Sequence, residues 1–347
     1  MISSGKALAF DDVLMVPKYT DKPSRRNVDI SVDLGKYKFA VPVISAAMDT
    51  ITGAKMAVAM SKLGGLGMIH RFMSVEENVA EFLKAKNEGA DIVGVSVGVN
   101  EGITRAEALY DAGARIFSID VAHAHSKLCG DMIKLLRDKF GSDILIIAGS
   151  VATREGTKYV ADCGADVARV GIGGGGVCTT RMKTGFGVPL LHSVMECSNM
   201  GIPIIADGGI RGPNDINKAL AAGATMVMIG GMLAGTDETP GEVFGAHLIQ
   251  PDGSKIFLEK KKAYRGMASR EAFEDYFGAM PDWKTAEGVY RDVDCKGPVK
   301  TVIDDIVGGL NSALTYGGAS TIKELQNCVT FIEITQAGYL ESTPHFK

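Results

Sequence analysis

At 347 residues, 46% hydrophobic and 22% charged, the chain is long enough to bury a large core, as one big α/β domain or two smaller ones. Its net charge of −4 carries no basic surplus, which weighs against nucleic acid or an acidic membrane surface as the main partner and leaves a small molecule. No apolar run reaches the roughly 18 residues of a membrane helix, and the opening MISSGKALAF lacks the basic-then-apolar build of a secretory leader. The six cysteines (129, 163, 178, 197, 295, 328) show no CxxC spacing, so a cytoplasmic protein with neither a zinc site nor a disulfide framework is expected.

Short apolar, β-branched runs recur along the chain, each followed by a stretch of helical periodicity. Strands are expected at VPVISAA (41 to 47), GLGMIH (65 to 70), IVGVSVG (92 to 98) and RIFSIDVA (115 to 122). Four more follow at ILIIAGS (144 to 150), VARVGIG (167 to 173), IPIIADGG (202 to 209) and TMVMIGG (225 to 231). Helices are expected between them, for example over Val75 to Glu88, Thr104 to Ala112 and Pro213 to Ala222, often closed by Gly or Ala-Gly. Near-continuous apolar strands mean a parallel sheet covered on both faces. Eight such units predict a (β/α)8 TIM barrel, with an open doubly wound sheet as the alternative. No inserted domain interrupts the count, so one barrel domain over 1 to 347 is expected. Residues 235 to about 300, rich in charge, Gly and Pro, read as a mobile flap of loop and hairpin after strand eight.

In barrels the chemistry sits at the carboxyl ends of the strands. ADGGI ends the seventh strand and IGGM the eighth, where backbone N–H groups commonly hold a phosphate. Gly208, Gly209, Gly230 and Gly231 would let the backbone approach the anion, and Asp207 would accept hydrogen bonds from ribose hydroxyls, so a nucleotide monophosphate fits. The plainer alternative is that these glycines only make tight turns. GIGGGGVCTTRMKTG (171 to 185) follows the sixth strand and opens onto the same mouth, which would set Cys178 against the nucleotide. A thiol is nucleophilic as thiolate, and a loop dense in N–H donors with Arg181 close by favours that form. The other five cysteines read as small buried hydrophobes.

GIGGGGVCTTR, DGGI, IGGM, YRGMAS, FDDVLMVP and SAAMDT, in this order-specific combination on one barrel, resemble the IMP dehydrogenase and GMP reductase family over nearly the whole chain. The resemblance implies that Cys178 attacks C2 of a purine nucleotide to give a covalent thioimidate, with a nicotinamide cofactor exchanging hydride at C2. Three departures stand out. The family loop usually carries Pro and Ser where this chain has Gly174 and Gly176, so that a phosphate contact of the serine would fall in part to a glycine N–H, and Ser150 stands where Asn is common. In the flap, EDYFG keeps Tyr276 but puts Asp275 where dehydrogenases have the arginine that activates water.

Asp275, the segment KTAEGVY, and the absence of the regulatory modules that dehydrogenases usually insert all lean to the reductase branch. The resemblance then implies reductive deamination of GMP to IMP, in purine interconversion and salvage, with Cys178, Thr180 and Glu287 catalytic. It assigns Asp207, Gly208, Gly209, Gly230 and Gly231 to ribose and phosphate, and Gly266, Met267, Ala268, Ser269, Lys284 and Gly288 to the base side. Arg71, Asp120, Val121, Ala122, Ile172 and Gly173 fall to the cofactor, joined across a subunit boundary of a homotetramer by Ser24, Arg25, Ser312 and Thr315. Arg71 and Arg25 suit a 2′-phosphate, hence NADPH. Carbonyls of Gly173, Gly175, Cys178 and Arg181 are implied as ligands of a monovalent cation such as K+. Two alternatives stay open: an IMP dehydrogenase without regulatory modules, and a catalytically silent nucleotide-binding relative.

Overall fold

The computed structural model of the chain describes residues 5–250 and 255–344; residues 1–4 of the opening and 251–254 of the flap lie outside them. The chain enters through a 3-10 turn at Phe10–Asp12, strand β1 (Val13–Met15) and a hairpin of β2 (Val32–Leu34) and β3 (Tyr37–Phe39). Then strands and helices alternate: β4 (Val43–Ser45), α1 (Ala54–Lys62), β5 (Leu66–Ile69), α2 (Val75–Asn87), β6 (Val93–Val97), α3 (Thr104–Asp111), β7 (Ile116–Asp120), α4 (Lys127–Phe140), β8 (Leu145–Val151) and α5 (Arg154–Asp162). The series continues with β9 (Val167–Val170), a short α6 (Thr180–Thr184), α7 (Leu190–Cys197), β10 (Ile204–Asp207), α8 (Pro213–Ala221) and β11 (Met226–Ile229). Strands β4 to β11 are parallel and close on themselves, β11 pairing with β4 through Met228 and Ile44, so the architecture is the (β/α)8 barrel.

The two-residue period of each strand splits the core in two. On β10, Ile204 and Ala206 face the surrounding helices while Ile205 faces the barrel interior. The interior is stoppered at its amino end by the β2–β3 hairpin, whose Leu34 and Phe39 are buried against Ile44, Leu66, Leu145 and Met226. Each such side chain removed from water contributes about 1.5–3 kcal/mol. Helix starts follow local chemistry. Ser74 accepts from the Glu77 N–H while Glu77 reaches back to Ser74, closing a capping box on α2.

All eight expected strands form, each within the expected span apart from Val151, one residue beyond it, and mostly shorter, because the terminal glycines leave the ladder to make the turns of the mouth. The flap holds two hairpins, β12 (His247–Ile249) with β13 (Lys255–Phe257) and β14 (Lys261–Arg265) with β15 (Tyr290–Asp294). It also holds an unexpected helix, α9 (Arg270–Phe277), started by the Ser269 hydroxyl and ended at Gly278 in the left-handed region. α10 (Val299–Gly317) supplies the barrel's eighth outer helix, and α11 (Ile322–Cys328), β16 (Phe331–Glu333) and α12 (Gln336–Glu341) follow. β16 pairs antiparallel with β1.

One buried group gives the fold a pH dependence. His70, just past β5, is 6% exposed, and burial pushes its pKa down to about 4, against the opposing pull of Asp49 and Glu81. The ring therefore stays neutral in the folded chain, its Nδ1 accepting the Phe72 N–H at 3.2 Å. The unfolded chain takes up this proton near pH 6.5, so the contribution is whole above 6.5 and is lost as pH falls toward 4. That loss amounts to about 3 kcal/mol. His70→Asn is expected to flatten the difference between urea denaturation midpoints at pH 7 and pH 4, and an unchanged difference would place the sensitivity elsewhere.

Candidate active site

Three strand ends build a charged layer across the top of the barrel. In the β7–β8–β9 register Asp120 lies beside Gly149 and Gly149 beside Arg169. A β-carbon on Gly149 would come within 2.4 Å of the Arg169 Cβ and 2.9 Å of its Nε, so only glycine lets the guanidinium cross β8. Arg169 thereby reaches Asp120 at 2.6 Å on one side and Asp207 at 3.0 Å on the other. All three are largely buried, and burial pushes the Asp207 carboxyl up against the downward pull of Arg169. Arg169 belongs to this site although it is absent from the expected residues. Its signal was present: an arginine inside the apolar strand VARV has to be paired.

Beyond Asp207, Gly208 and Gly209 hold φ of 90° and 72°, the left-handed region that suits glycine. Among the described residues, the N–H groups of Gly174, Gly175, Gly209, Gly230 and Gly231 donate to no protein acceptor, which makes them available to an anion. A side chain on Gly230 would lie 3.4 Å from the Tyr264 hydroxyl, which therefore overhangs the second glycine pair. Tyr264 is a further residue that sequence reasoning missed, although it sits within YRGMAS. Burial pushes its pKa up to about 12, aided by Asp207, so it remains a hydrogen-bond donor. Gly176 has open space where a side chain would sit, so nothing in the chain's own packing demands glycine there.

Cys178 follows this loop, half-buried. Its Sγ donates to the Thr180 hydroxyl at 3.2 Å, and that hydroxyl donates to Glu287 Oε2 at 2.8 Å. Glu287 arrives from the flap, 107 residues away, and the backbone holds it in place. Cys178 and Gly288 form an antiparallel bridge, flanked by the Thr179 N–H to the Glu287 carbonyl at 2.8 Å and the Val289 N–H to the Val177 carbonyl at 2.9 Å. The Glu287 N–H in turn donates to Ala268 at 3.0 Å. Arg181 does not serve the sulfur as expected. Its guanidinium donates to the Val188 carbonyl at 2.6 Å, because its stem packs into the clefts left by Gly173 and Gly187.

On the far side of the mouth, Arg265 bonds Asp49 and Asp275, and the Tyr276 hydroxyl lies 3.4 Å from Asp49. Asp275 is therefore an ion-pair partner of the flap rather than a free carboxylate. Phe72 packs on Tyr276 with ring centroids 5.4 Å apart. Gly266 and Met267 line the seam between flap and barrel, the Asp49 N–H donating to Met267 Sδ at 3.3 Å. Ser269 corrects the expectation of a substrate contact: it is fully buried and its hydroxyl is engaged in capping α9.

The residues assigned to the cofactor fall into two groups. Arg71 donates to the Asp120 carbonyl at 3.3 Å and faces Glu101 at 3.8 Å, leaving its buried Nε without a partner among the described residues. Near it, Lys284, assigned to the base side, sets its Nζ 3.9 Å over the Phe273 ring, and its pKa is lowered by burial, with Glu287 raising it and Arg71 lowering it. The Val121 N–H is bound to the Gly149 carbonyl and its carbonyl accepts the Ser150 N–H at 2.8 Å, so its backbone is engaged within the strand end. Arg25 lies against Tyr316, so Ser24 and Arg25 share a patch with the end of α10. There the Ser312 and Thr315 hydroxyls donate inside the helix, to Gly308 and Asn311, and are left as acceptors. Of the four carbonyls assigned to a cation, Gly175 already accepts the Cys178 N–H and Arg181 that of Gly185, both at 3.0 Å.

Residues 7–345 match the model of the IMP dehydrogenase / GMP reductase domain. The chain belongs to that family. It is similar to the inosine-5′-monophosphate dehydrogenase of Cryptosporidium parvum, at 38% identity over 395 residues covering 98% of this chain and 95% of that protein. Among solved structures it resembles an inosine 5′-monophosphate dehydrogenase from Legionella pneumophila, with TM-score 0.84 and 52% identity over 96% of this chain and 100% of the other. It also resembles a cysteine-to-alanine variant of the GMP reductase of Trypanosoma brucei in complex with guanosine 5′-monophosphate, with TM-score 0.89 and 29% identity over 99% of both chains. Both names in this oxidoreductase family denote enzymes of purine nucleotides. The Cryptosporidium alignment spans little more than the present 347 residues, so a short chain does not by itself separate reductase from dehydrogenase.

Proposed function

We propose that this member of the family is a GMP reductase, converting GMP to IMP and ammonia in purine salvage. The observation that carries the reading is the proton path from Cys178 through Thr180 to Glu287, together with an acidic Asp275 at the flap position where a dehydrogenase would need an arginine. Both hydrogen bonds run toward the carboxylate. As Cys178 Sγ attacks C2 of GMP, its proton passes through the Thr180 hydroxyl to Glu287. Glu287 returns that proton to the 2-amino group, the C2–N bond breaks, and ammonia leaves the thioimidate behind. NADPH, when bound, supplies hydride to C2. The C2–S bond then breaks, the thiolate is released, and a proton taken from solvent restores the thiol and the path to Glu287.

Asp207 and the free N–H groups of Gly209, Gly230 and Gly231 would hold ribose and phosphate. Gly266 to Ala268 with Gly288 would face the base. The orphaned Arg71 Nε fits the phosphates of a dinucleotide, Lys284 beside it stays on the base side, and the remaining Gly173 and Cys178 carbonyls suit a monovalent cation that braces the loop. In a cytoplasmic homotetramer, Ser24, Arg25, Ser312 and Thr315 would reach the neighbouring subunit's cofactor. Arg71→Ala is expected to raise the KM for NADPH about tenfold or more while moving that for GMP little, since one lost charged hydrogen bond costs on this order. Equal effects on both would make Arg71 structural.

A dehydrogenase reading is favoured by one observation, the Arg265 guanidinium held close to Tyr276, where it supplies the positive charge that Asp275 lacks. Absorbance of the reduced nicotinamide decides between them. Loss of signal with GMP and NADPH, and no gain with IMP and NAD, is the outcome expected of the reductase; the reverse pattern would establish the dehydrogenase.

A further inference from the structure

FDDVLMVP is a motif that the mechanism leaves unused, and its first aspartate pairs with an arginine of the nucleotide loop. Asp11 forms a two-pronged ion pair with Arg211, Oδ1 to Nη2 at 2.6 Å and Oδ2 to Nη1 at 2.8 Å, across 200 residues of sequence. Arg211 stands two residues after Gly209. Its own N–H and Nε both donate at 3.0 Å to Asp215 Oδ2, whose side chain is fully buried at the start of α8. The same strap is fixed a second time: the buried Lys218 Nζ donates to the Phe10 carbonyl at 2.8 Å. The strap is therefore bound both to the turn that follows β10 and to the helix α8 beyond it.

That turn is in contact with the cysteine loop. A β-carbon on Gly208 would meet the Gly175 nitrogen at 3.2 Å, and one on Gly209 the Gly174 carbonyl oxygen at 2.8 Å. The two glycine loops thus lean on each other with no side chain between them, and a displacement of one passes to the other. Isolated surface ion pairs contribute little to stability, so a parallel, two-bond arrangement tied into a buried carboxylate points to a geometric rather than an energetic purpose.

We infer that Asp11 is a positioning residue of the nucleotide pocket, acting through Arg211 to hold the Gly208–Gly209 turn, and through it the Gly174–Gly175 stretch, at the spacing a bound nucleotide requires. The inference rests on the reading of Asp207 to Gly209 as part of the nucleotide site. It holds for either enzyme of the family.

Asp11→Asn keeps the shape and removes the charge. GMP and IMP affinities by calorimetry are expected to weaken about fivefold, as small misplacements of binding groups do, with the KM for the nicotinamide cofactor unchanged and the Tm moved by no more than about 2 °C. Amide exchange in 173–176 and 207–210 is expected to quicken. Asp11→Glu should restore part of the affinity, and Arg211→Lys, which cannot form the two-pronged pair, should match Asp11→Asn without adding to it in the double variant. Unaltered amide exchange with unaltered affinity would overturn the inference, as would a large fall in Tm with unaltered affinity, the mark of a merely structural pair. Faster exchange with unmoved nucleotide affinity would sustain the positioning role and overturn the reading of the pocket instead.

Discussion

Cys178→Ala is expected to abolish turnover, by at least about 10⁴-fold, and to leave nucleotide binding within a few-fold of the parent chain. On the proposed mechanism the sulfur is the nucleophile toward C2, and no neighbour of equal nucleophilicity replaces it: Thr180 is a hydroxyl engaged with Glu287, and no other cysteine lies on the loop. Binding depends on other atoms. The ribose and phosphate partners proposed here are Asp207 and backbone N–H groups, and alanine at 178 leaves both the Gly288 bridge and the Gly175 turn intact, since both are backbone contacts. Calorimetry with GMP and a single-turnover assay check the two halves separately. Turnover near that of the parent chain would remove the covalent mechanism, and loss of binding would mean that the thiol also shapes the pocket.

Glu287→Gln is expected to lower GMP reduction by a factor on the order of 100 or more. Glutamine keeps the backbone bonds to Thr179 and Ala268 and still accepts from Thr180, so the flap stays docked. What it cannot do is take the thiol proton and return it. Both the attack by Cys178 and the departure of ammonia suffer, and the second more, because an amide ion is a far poorer leaving group than ammonia. Asp275→Ala, which removes an exposed partner of Arg265, should change the rate little by comparison. Near-full activity of Glu287→Gln, or formation of XMP from IMP and NAD at a comparable rate in the parent chain, would overturn the reductase reading.

Much of the fold could be read from the chain because βα repetition is local. Each strand announces itself within eight residues, and 41 to 47, 202 to 209 and 225 to 231 all frame observed strands. Cys178, Thr180 and Glu287 are brought together as the motifs suggested. The charged layer was harder to see because it depends on register: nothing in the sequence says that Gly149 lies beside Arg169 or that the empty space there is crossed by a guanidinium. Ser269 and Arg181 misled for a related reason. A hydroxyl or guanidinium near a site is counted as free until its competing local partner, a helix start or a carbonyl, is seen. Helix α9 carried its start and stop signals, Ser269 and Gly278, but a charged, glycine-rich setting masked them.

The bridge between Cys178 and Gly288 divides the molecule into a part that grips and a part that decides. On the proposed mechanism the barrel supplies the nucleophile and the anion-binding turns, while the carboxylate that would move the proton comes on an external segment tied to it by a few backbone bonds. Substitutions in such a segment disturb little of the packed core and so carry small stability penalties. On the proposed mechanism such a segment could therefore change the outcome of the reaction while the barrel still folds and still holds its nucleotide. Grafting residues 270–290 from a relative onto this chain is then a short path to exchanging that outcome.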